Sequence, residues 1–249
     1  MARTAIITGG IKGLGKAIAL HMAREGYHLV LSYHSDDVAA QETYQECHVL
    51  TPQVLVIRSN VANTHDVENL FHVASSQFGS IDVLINNAGL NIDKPVLELS
   101  EEDWDRVVDT NMKGTFLCSQ CAARYMLQQE AGGYIINLGA TTGITGRKNG
   151  LNYCASKAGI LTMTKCLALE LAPKIHVNCI LPGFIQTQEV EERYGTRDPQ
   201  RLKEIERSIP LNRIGQPEEI AQAVDFLLSP GADFIHGQKL IVDGGGFMY

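Results

Sequence analysis

A tyrosine and a lysine stand four residues apart in the second half of the chain, at Tyr153 and Lys157. Residues at this spacing share one face of a helix, and the surrounding pattern predicts a helix over 152–171. A free tyrosine loses its proton only near pH ~10, which is too high for acid/base chemistry at neutrality. A neighbouring ammonium favours the phenolate and should lower that pKa. The pair therefore indicates a general acid/base, although an amphipathic helix could carry both residues without a chemical role.

A glycine-rich segment, Thr8-Gly9-Gly10-Ile11-Lys12-Gly13-Leu14-Gly15, separates an apolar run from a helical pattern. Glycines let the backbone turn tightly and approach a pyrophosphate, and the following helix N-terminus offers free N–H groups and partial positive charge. Such a segment can also be only a strand-to-helix connection. Its place at the first such junction favours a dinucleotide site. The candidate residues are Gly9, Lys12, Gly13, Leu14 and Gly15.

Both features must be positioned by an alternation of strands and helices that continues along the whole chain. Short apolar runs predict buried parallel strands at 4–8, 28–33, 53–59, 81–86, 134–138, 175–181 and 239–242. Helical patterns lie between them at 15–25, 64–78, 101–129, 152–171 and 218–228. This order predicts a single-domain α/β fold over residues 1–249, with a Rossmann-type, doubly wound parallel sheet flanked by helices. In such sheets the site lies outside the carboxyl ends of the strands.

A polar segment at 186–210 interrupts this alternation with many charged residues, one glycine and two prolines. We expect it to form a mobile lid over the substrate. Phe184, Val190 and Tyr194 could line an apolar substrate pocket, or could equally cover the core.

Composition and charge exclude several classes of protein. The chain is 45% hydrophobic and 20% charged, as in soluble globular proteins, and no apolar run approaches the ~18 residues of a membrane span. Its net charge of −7, without a stripe of Lys and Arg, argues against nucleic acid as a partner. Because the N-terminus leads directly into the first strand, we expect no signal peptide and a cytoplasmic location.

The six cysteines are expected to be reduced thiols. Cys118 and Cys121 form a C-x-x-C pair, but they lie in a predicted helix and lack a second pair for zinc. We therefore expect core packing rather than redox chemistry, and no metal site.

Further motifs follow the glycine turn in a fixed order. They are Asn86-Asn87-Ala88-Gly89, Asn111, the Tyr153–Lys157 pair, Pro182-Gly183-Phe184-Ile185-Gln186-Thr187 and Val242-Asp243-Gly244-Gly245. With these motifs the sequence resembles the short-chain dehydrogenase/reductase family over essentially its whole length. Within the family it is most similar to the 3-oxoacyl-[acyl-carrier-protein] reductases, notably at 182–187 and 209–213, although many sugar, polyol and steroid dehydrogenases share these segments. The resemblance implies NADPH-dependent reduction of a 3-oxoacyl thioester or related ketone to an alcohol, with Tyr153 as general acid.

The resemblance also implies roles for individual residues. Lys157 would hold the nicotinamide ribose and, with Asn111, carry a proton relay to water. Asn60 and Val61 stand where the family has an Asp-Val that contacts the adenine. The other cofactor-binding residues implied are His34, Asn87, Ala88, Gly89, Pro182, Gly183, Ile185 and Thr187.

The cofactor choice depends on the residues after the second strand, where NAD sites place an acid and NADP sites place cations. Spacing from the glycine turn puts this position at Tyr33, which is not an acid. Lys12 matches a base that meets the 2′-phosphate in NADP-dependent relatives, so the sequence favours NADP(H). Asp36 and Asp37 lie nearby and Lys12 could be merely solvated, so NAD(H) is the alternative.

One member of the family's catalytic tetrad is missing, because the position of its serine, counted back from Tyr153, is Ala140. Losing one donor to a developing oxyanion costs about 3–4 kcal/mol. Thr141 or Thr142 could supply a hydroxyl instead, or the substrate could need less polarisation. The third hypothesis is that the protein binds NADP(H) but is catalytically weak, and serves as a partner or regulatory subunit.

Partners other than a small-molecule or thioester substrate have limited support. Carrier-protein reductases dock an acidic carrier with basic residues near the helix end before the 134–138 strand, but here that stretch, 128–133, has Arg124 as its nearest base. The net charge of −7 would also repel an acidic carrier. The resemblance implies a homotetramer or homodimer paired through the helices at 101–129 and 152–171, where Ala155, Ala158 and Gly159 would allow close approach.

Overall fold

The computed structural model describes residues 2–248, and in this range seven strands form one parallel sheet. The strand order is β3-β2-β1-β4-β5-β6-β7. The strands are β1 (Thr4–Ile7), β2 (His28–Tyr33), β3 (Val54–Arg58), β4 (Val83–Asn86), β5 (Gly133–Leu138), β6 (Ile175–Pro182) and β7 (Lys239–Val242). The order reverses between β1 and β4, where sheets of this kind bind ligands. The predicted Rossmann-type α/β fold is therefore confirmed.

Helices cover both faces of the sheet. They are α1 (Gly13–Arg24), α2 (Asp37–Leu50), α3 (Thr64–Phe78), α4 (Glu101–Val108), α5 (Gly114–Met126), α6 (Thr142–Thr145), α7 (Leu151–Leu171), α8 (Gln188–Tyr194), α9 (Pro199–Ser208) and α10 (Pro217–Leu227). None of the helices within residues 2–248 combines the length and apolar character needed to cross a bilayer.

The core has two layers because successive residues of a strand point to opposite faces of the sheet. Ala5 and Ile7 of β1 join an apolar cluster with α1 and α10, whereas Ile6 joins a second cluster with α3 and α5. Cys118 and Cys121 belong to the second cluster, which confirms their expected core packing. Burial raises the pKa of the Cys121 thiol to about 11 and that of Cys118 further, so both stay protonated and unreactive at neutral pH.

The prediction of one continuous helix over 101–129 is wrong, because the helix is interrupted. A π-helical turn at Asp109–Lys113 separates α4 from α5. A π turn accommodates one extra residue within a helix, and here it carries Asn111, whose side chain is fully buried. The apolar pattern continues on either side of the turn, so helical periodicity does not reveal it.

The polar segment 186–210 contains two helices, α8 and α9. The Thr187 side chain caps α8 by accepting from the Val190 N–H at 3.3 Å. Asp198 caps α9 by accepting from the Gln200 N–H at 2.9 Å, and Pro199 occupies the first helical position. Helix α8 lies against the cavity described below, in the place expected of a lid. Its mobility stays a prediction.

Candidate active site

A cavity of about 870 Å³ lies at the carboxyl ends of the strands. Its walls come from the glycine turn, from the segments after β4, β5 and β6, and from α7 and α8. The predicted site residues in its wall are Gly9, Lys12, Gly13, Leu14, Asn87, Ala88, Gly89, Tyr153, Lys157, Pro182, Gly183, Ile185 and Thr187. Phe184, Val190 and Tyr194 also line it. The fold therefore brings the glycine turn and the Tyr153–Lys157 pair to one cavity.

The glycine turn is built for close approach of backbone to backbone. A Cβ atom at Gly15 would overlap with the Gly9 carbonyl oxygen and lie 2.5 Å from Asn87 Nδ2. Asn87 Nδ2 donates to the carbonyls of Thr8 and Gly9 at 2.9 and 3.0 Å, which joins the segment after β4 to the turn. Helix α1 starts after Lys12, and no side chain within residues 2–248 caps it. Its first N–H groups can therefore bind a pyrophosphate, so the turn fits a dinucleotide.

The expected adenosine-side residues His34, Asn60 and Val61 do not belong to the cavity wall. Asn60 Oδ1 accepts from the Ala62 N–H at 3.0 Å and so shapes the turn before α3. Val61 is buried in the core beside Gly114. The Asn60 and Val61 side chains therefore stabilise the protein locally, and their contact with the adenine stays a prediction.

The predicted 2′-phosphate base, Lys12, is paired with an acid. Its ammonium bonds to the Asp36 carboxylate, which also caps α2 by accepting from the Ala39 N–H at 3.0 Å. The Ala39 N–H and then Lys12 hold the pKa of Asp36 below its usual range. Arg58, which sequence reasoning missed, donates from the end of β3 to the His34 carbonyl at 3.0 Å. Arg58 is the last residue of β3, next to β2, and a cation at that position in the sequence could have indicated it.

Tyr153 and Lys157 lie together on α7, with Lys157 Nζ 5.7 Å from the centroid of the Tyr153 ring. Lys157 is buried and donates to the Leu138 carbonyl at 2.7 Å. Burial lowers the pKa of Lys157 to about 8. The expected lowering of the Tyr153 pKa is wrong for this structure, because burial raises it, and the adjacent Glu189 raises it further. A raised pKa keeps the phenol protonated at neutral pH, which is the form that a general acid needs.

The Asn111 side chain is held by three hydrogen bonds. Its Oδ1 accepts from the Leu90 N–H at 2.7 Å, and its Nδ2 donates to the Leu90 carbonyl at 2.9 Å and to Ser156 Oγ at 3.0 Å. These bonds connect the π turn to the segment after β4 and to α7. They go to Leu90 and Ser156 rather than to Lys157, so the proton relay stays a prediction.

Ala140 lies in the cavity wall with Thr141 and Thr142 beside it. The Thr142 Oγ1 atom is buried and finds no hydrogen-bond partner within residues 2–248. Thr141 is partly exposed, and its backbone carbonyl accepts from the Thr145 hydroxyl at 3.5 Å. Which of the two hydroxyls reaches a substrate oxygen stays a prediction.

Arg147 is a wall residue that sequence reasoning did not single out. Its guanidinium carbon lies 5.4 Å from the centroid of the Tyr153 ring. A single arginine in a loop belongs to no periodic pattern, so its contact with Tyr153 cannot be predicted from sequence spacing.

Comparison with known proteins agrees with this geometry. A family model described as enoyl-(acyl carrier protein) reductase matches residues 9–246. The 3-oxoacyl-[acyl-carrier-protein] reductase of Staphylococcus aureus is 39% identical over 249 residues, which cover 100% of this chain and 99% of that protein. The 3-oxoacyl-[acyl-carrier-protein] reductase of Synechocystis is 38% identical over 250 residues, with 100% and 98% covered. A solved short chain dehydrogenase from Bacillus anthracis is similar at a TM-score of 0.89 and 35% identity, with 99% and 97% covered.

These matches extend over essentially the whole chain. They confirm the resemblance seen in the sequence. The chain therefore belongs to the short-chain dehydrogenase/reductase family, and it is an oxidoreductase of that family.

Proposed function

We propose that the protein reduces a carbonyl group to an alcohol with NADPH, and that Tyr153 gives the proton. The observation that carries this proposal is the placement of the Tyr153 phenol, with Lys157 beside it, in one cavity with the glycine turn. The names of the S. aureus and Synechocystis relatives support a 3-oxoacyl thioester or a related ketone as the substrate.

In this reaction the residues of the chain bind, orient and transfer a proton. The N–H groups at the start of α1 would hold the pyrophosphate, and Lys157 and the segment 182–187 would hold the nicotinamide end. NADPH, when bound, would supply a hydride to the carbonyl carbon. Tyr153 donates its hydroxyl proton to the carbonyl oxygen, which gives the alcohol and leaves a phenolate. The Lys157 ammonium stabilises that phenolate until solvent restores its proton.

The hydroxyl of Thr141 takes the part of the absent serine in this proposal. Donors aimed at the oxygen where charge develops are worth about a hundred- to a thousandfold in rate each. Thr141 lies one residue after Ala140 in the same wall and is partly exposed, whereas the Thr142 hydroxyl is buried. An accessible threonine can therefore polarise the carbonyl without the family serine.

NADP(H) is the proposed cofactor, because Lys12 and Arg58 place two cations near the end of β2. The Asp36 carboxylate that pairs with Lys12 partly offsets this charge, and it is the feature that favours NAD(H) instead. A 2′-phosphate can compete for Lys12 because a phosphate carries more charge than one carboxylate.

A homodimer or homotetramer paired through α5 and α7 is also proposed. Exposed apolar side chains lie on both helices, with Phe116 on α5 and Leu151 and Leu169 on α7. Light scattering checks the assembly, and a monomer at micromolar concentration would contradict it.

The reaction is tested by following NADPH absorbance with 3-oxoacyl thioesters and diketones. We expect Tyr153→Phe to lower kcat by about 10²–10⁴-fold while NADPH binding stays intact. Equal rates for the two proteins would refute the proposed acid. If wild type binds NADPH but turns over no substrate in the panel, the catalytically weak binding partner becomes the better description.

Thr141→Val tests the proposed donor, and Thr142→Val is its matched control. We expect the first to lower kcat about a hundredfold or more, because it removes the hydroxyl that polarises the carbonyl. The second removes an enclosed hydroxyl without a partner and should leave kcat unchanged. Ala140→Ser completes the set: a large gain in wild-type background would show that the donor is missing, whereas little change supports Thr141.

A further inference from the structure

The Tyr153 ring has two cationic groups within 6 Å, and only one of them is on its own helix. The guanidinium carbon of Arg147 lies 5.4 Å from the ring centroid and Lys157 Nζ lies 5.7 Å from it. Arg147 comes from the loop between α6 and α7, so its position does not follow from the Tyr153–Lys157 spacing. A cation over an aromatic ring is attracted to it, and more strongly once the ring becomes a phenolate.

The Arg147 guanidinium is fixed by hydrogen bonds to three acceptors. Nη2 donates to Asp93 Oδ1 at 2.7 Å and to Asn91 Oδ1 at 3.3 Å, and Nη1 donates to the Tyr194 hydroxyl at 3.2 Å. Asn91 and Asp93 belong to the segment after β4, whereas Tyr194 ends α8. The Arg147 side chain is only 17% exposed. One guanidinium thus connects the loop before α7, the segment after β4 and the helix that covers the cavity.

The backbone leaves a space for this guanidinium at Gly150. A Cβ atom at Gly150 would lie 2.9 Å from both Nε and Nη2 of Arg147. The Gly150 N–H also donates to the Arg147 carbonyl at 3.2 Å, which closes the loop just before α7 begins. Any larger residue at 150 would therefore push the guanidinium away from its present place beside Tyr153.

The other charged groups around the phenol come from α8 and from the segment after β4. On α8, Glu189 bonds to Arg193, and these two residues act on the Tyr153 pKa in opposite directions. Asp93 also lies 3.9 Å from Arg193 Nε, so it is shared between the two arginines. The titratable groups that face Arg147 are Asp93, Tyr194 and Cys154, and Cys179 and Glu189 face Lys157.

The two cations beside Tyr153 respond differently to pH. Burial brings the pKa of Lys157 down to about 8, so its ammonium loses its proton at mildly alkaline pH. The pKa of Arg147 lies above its usual value because Tyr194 and Asp93 outweigh the opposing effect of burial. Arg147 therefore keeps its charge over the whole range in which Lys157 titrates.

We infer that Arg147 is a positioning residue that holds α8 against the catalytic loop and stabilises the negative charge that develops on Tyr153 during proton transfer. This inference rests on the proposed function, because it requires Tyr153 to be the acid. Arg147 would then be a second cation beside the phenolate, and its charge would not change with pH. Reduction should then continue above pH 8, where Lys157 alone would fail.

The test compares kcat as a function of pH for wild type, Arg147→Gln, Arg147→Lys and Gly150→Ala, with acetoacetyl-coenzyme A as substrate. We expect Arg147→Gln to lower kcat roughly tenfold at pH 7. Above pH 8 its rate should fall steeply with the loss of the Lys157 proton, while that of wild type falls little. Arg147→Lys should recover part of the rate and the wild-type pH profile. Gly150→Ala keeps the charge but displaces it, and should resemble Arg147→Gln.

The matched control is Lys148→Gln, which removes an exposed cation from the same loop and should leave both kcat and its pH profile unchanged. NADPH binding, measured by cofactor fluorescence, should stay within threefold of wild type in every variant. If Arg147→Gln does not fold, the pH profile of Gly150→Ala decides the question.

The possible failures are distinguishable. If Tyr153→Phe is inactive but the Arg147 variants keep the wild-type rate and pH profile, only the role of Arg147 is overturned. If the kcat of the Arg147 variants falls with no change in the pH profile, the electrostatic role of Arg147 is overturned and only its role in holding α8 survives. If Tyr153→Phe keeps full activity, the proposed function fails, and the inference fails with it.

Discussion

The cofactor half of the cavity, formed by β1, β4 and α1, is built differently from the substrate half, formed by α6, α7 and α8. In the cofactor half, backbone approaches backbone so closely that Gly15 cannot carry a side chain. In the substrate half, side chains such as Arg147 and Tyr194 meet across a wider space. Where backbone packs against backbone, few residue types fit. Where side chains meet across a space, one hydrogen-bond donor can be replaced by a donor from a neighbouring residue. This explains why the glycine turn follows its family and the tetrad serine does not.

The largest expected effect is in the cofactor half. Gly15→Ala would place a Cβ atom against the Gly9 carbonyl and 2.5 Å from Asn87 Nδ2, so the turn must open and lose its phosphate-binding N–H groups. We expect the Kd for NADPH to rise on the order of a hundredfold or more. Fluorescence titration measures it.

Gly231→Ala is the control for this substitution, because a Cβ there meets nothing closer than 3.5 Å. An NADPH affinity within threefold of wild type for Gly15→Ala would remove the contrast between the halves.

A smaller effect is expected in the substrate half from Gly143→Ala. The new Cβ would lie 2.8 Å from the Lys157 carbonyl carbon and 2.9 Å from the Ala158 nitrogen, which pushes the segment carrying Thr141 away from α7. We expect kcat to fall about ten- to a hundredfold, since small displacements of catalytic groups are costly. Steady-state kinetics and NADPH titration together check this prediction. An equal loss of cofactor affinity would show that the halves are not separable.

The smallest effect is expected from Lys12, the charged side chain proposed to bind the 2′-phosphate. Lys12→Ala should weaken NADPH binding about tenfold, because it removes a charge-assisted hydrogen bond to the 2′-phosphate. NADH, which has no such phosphate, should bind as before. Lys165→Ala, an exposed lysine on α7, is the control. Equal losses for the two cofactors would contradict the proposed NADP(H) preference.

The strands and the glycine turn could be predicted because they depend on local pattern. Runs such as Ile6-Ile7 are apolar on both faces of the sheet, and the turn has a fixed spacing. Helix α2 (Asp37–Leu50) was not predicted, because only Ala40, Thr43 and Cys47 are buried and the apolar pattern is weak. Helix α9 was within reach, since Asp198-Pro199 is a typical helix start.

The parts of the site that were missed depend on tertiary structure. The direction of the Tyr153 pKa follows from burial, which four-residue spacing does not report. The approach of Arg147 to Tyr153 needs Asp93, Tyr194 and the open space at Gly150, three contributions from separate parts of the chain. The ion pair between Lys12 and Asp36 joins residues 24 apart. Such contacts become visible only when the sheet has brought the loops together.

The π turn at Asp109–Lys113 lies between α4 and α5, so the number of residues in this stretch matters as much as their types. Deleting any one residue between α4 and α5 would allow the turn to relax into a regular α-helix. The helices α4 and α5 would keep their relative positions, because the π turn accommodates the extra residue, but the bulge that carries Asn111 would be lost. The Asn111 amide would leave Leu90 and Ser156, although no residue of the cavity wall had been changed. Homologues and engineered variants are therefore expected to tolerate substitutions here far better than single-residue deletions.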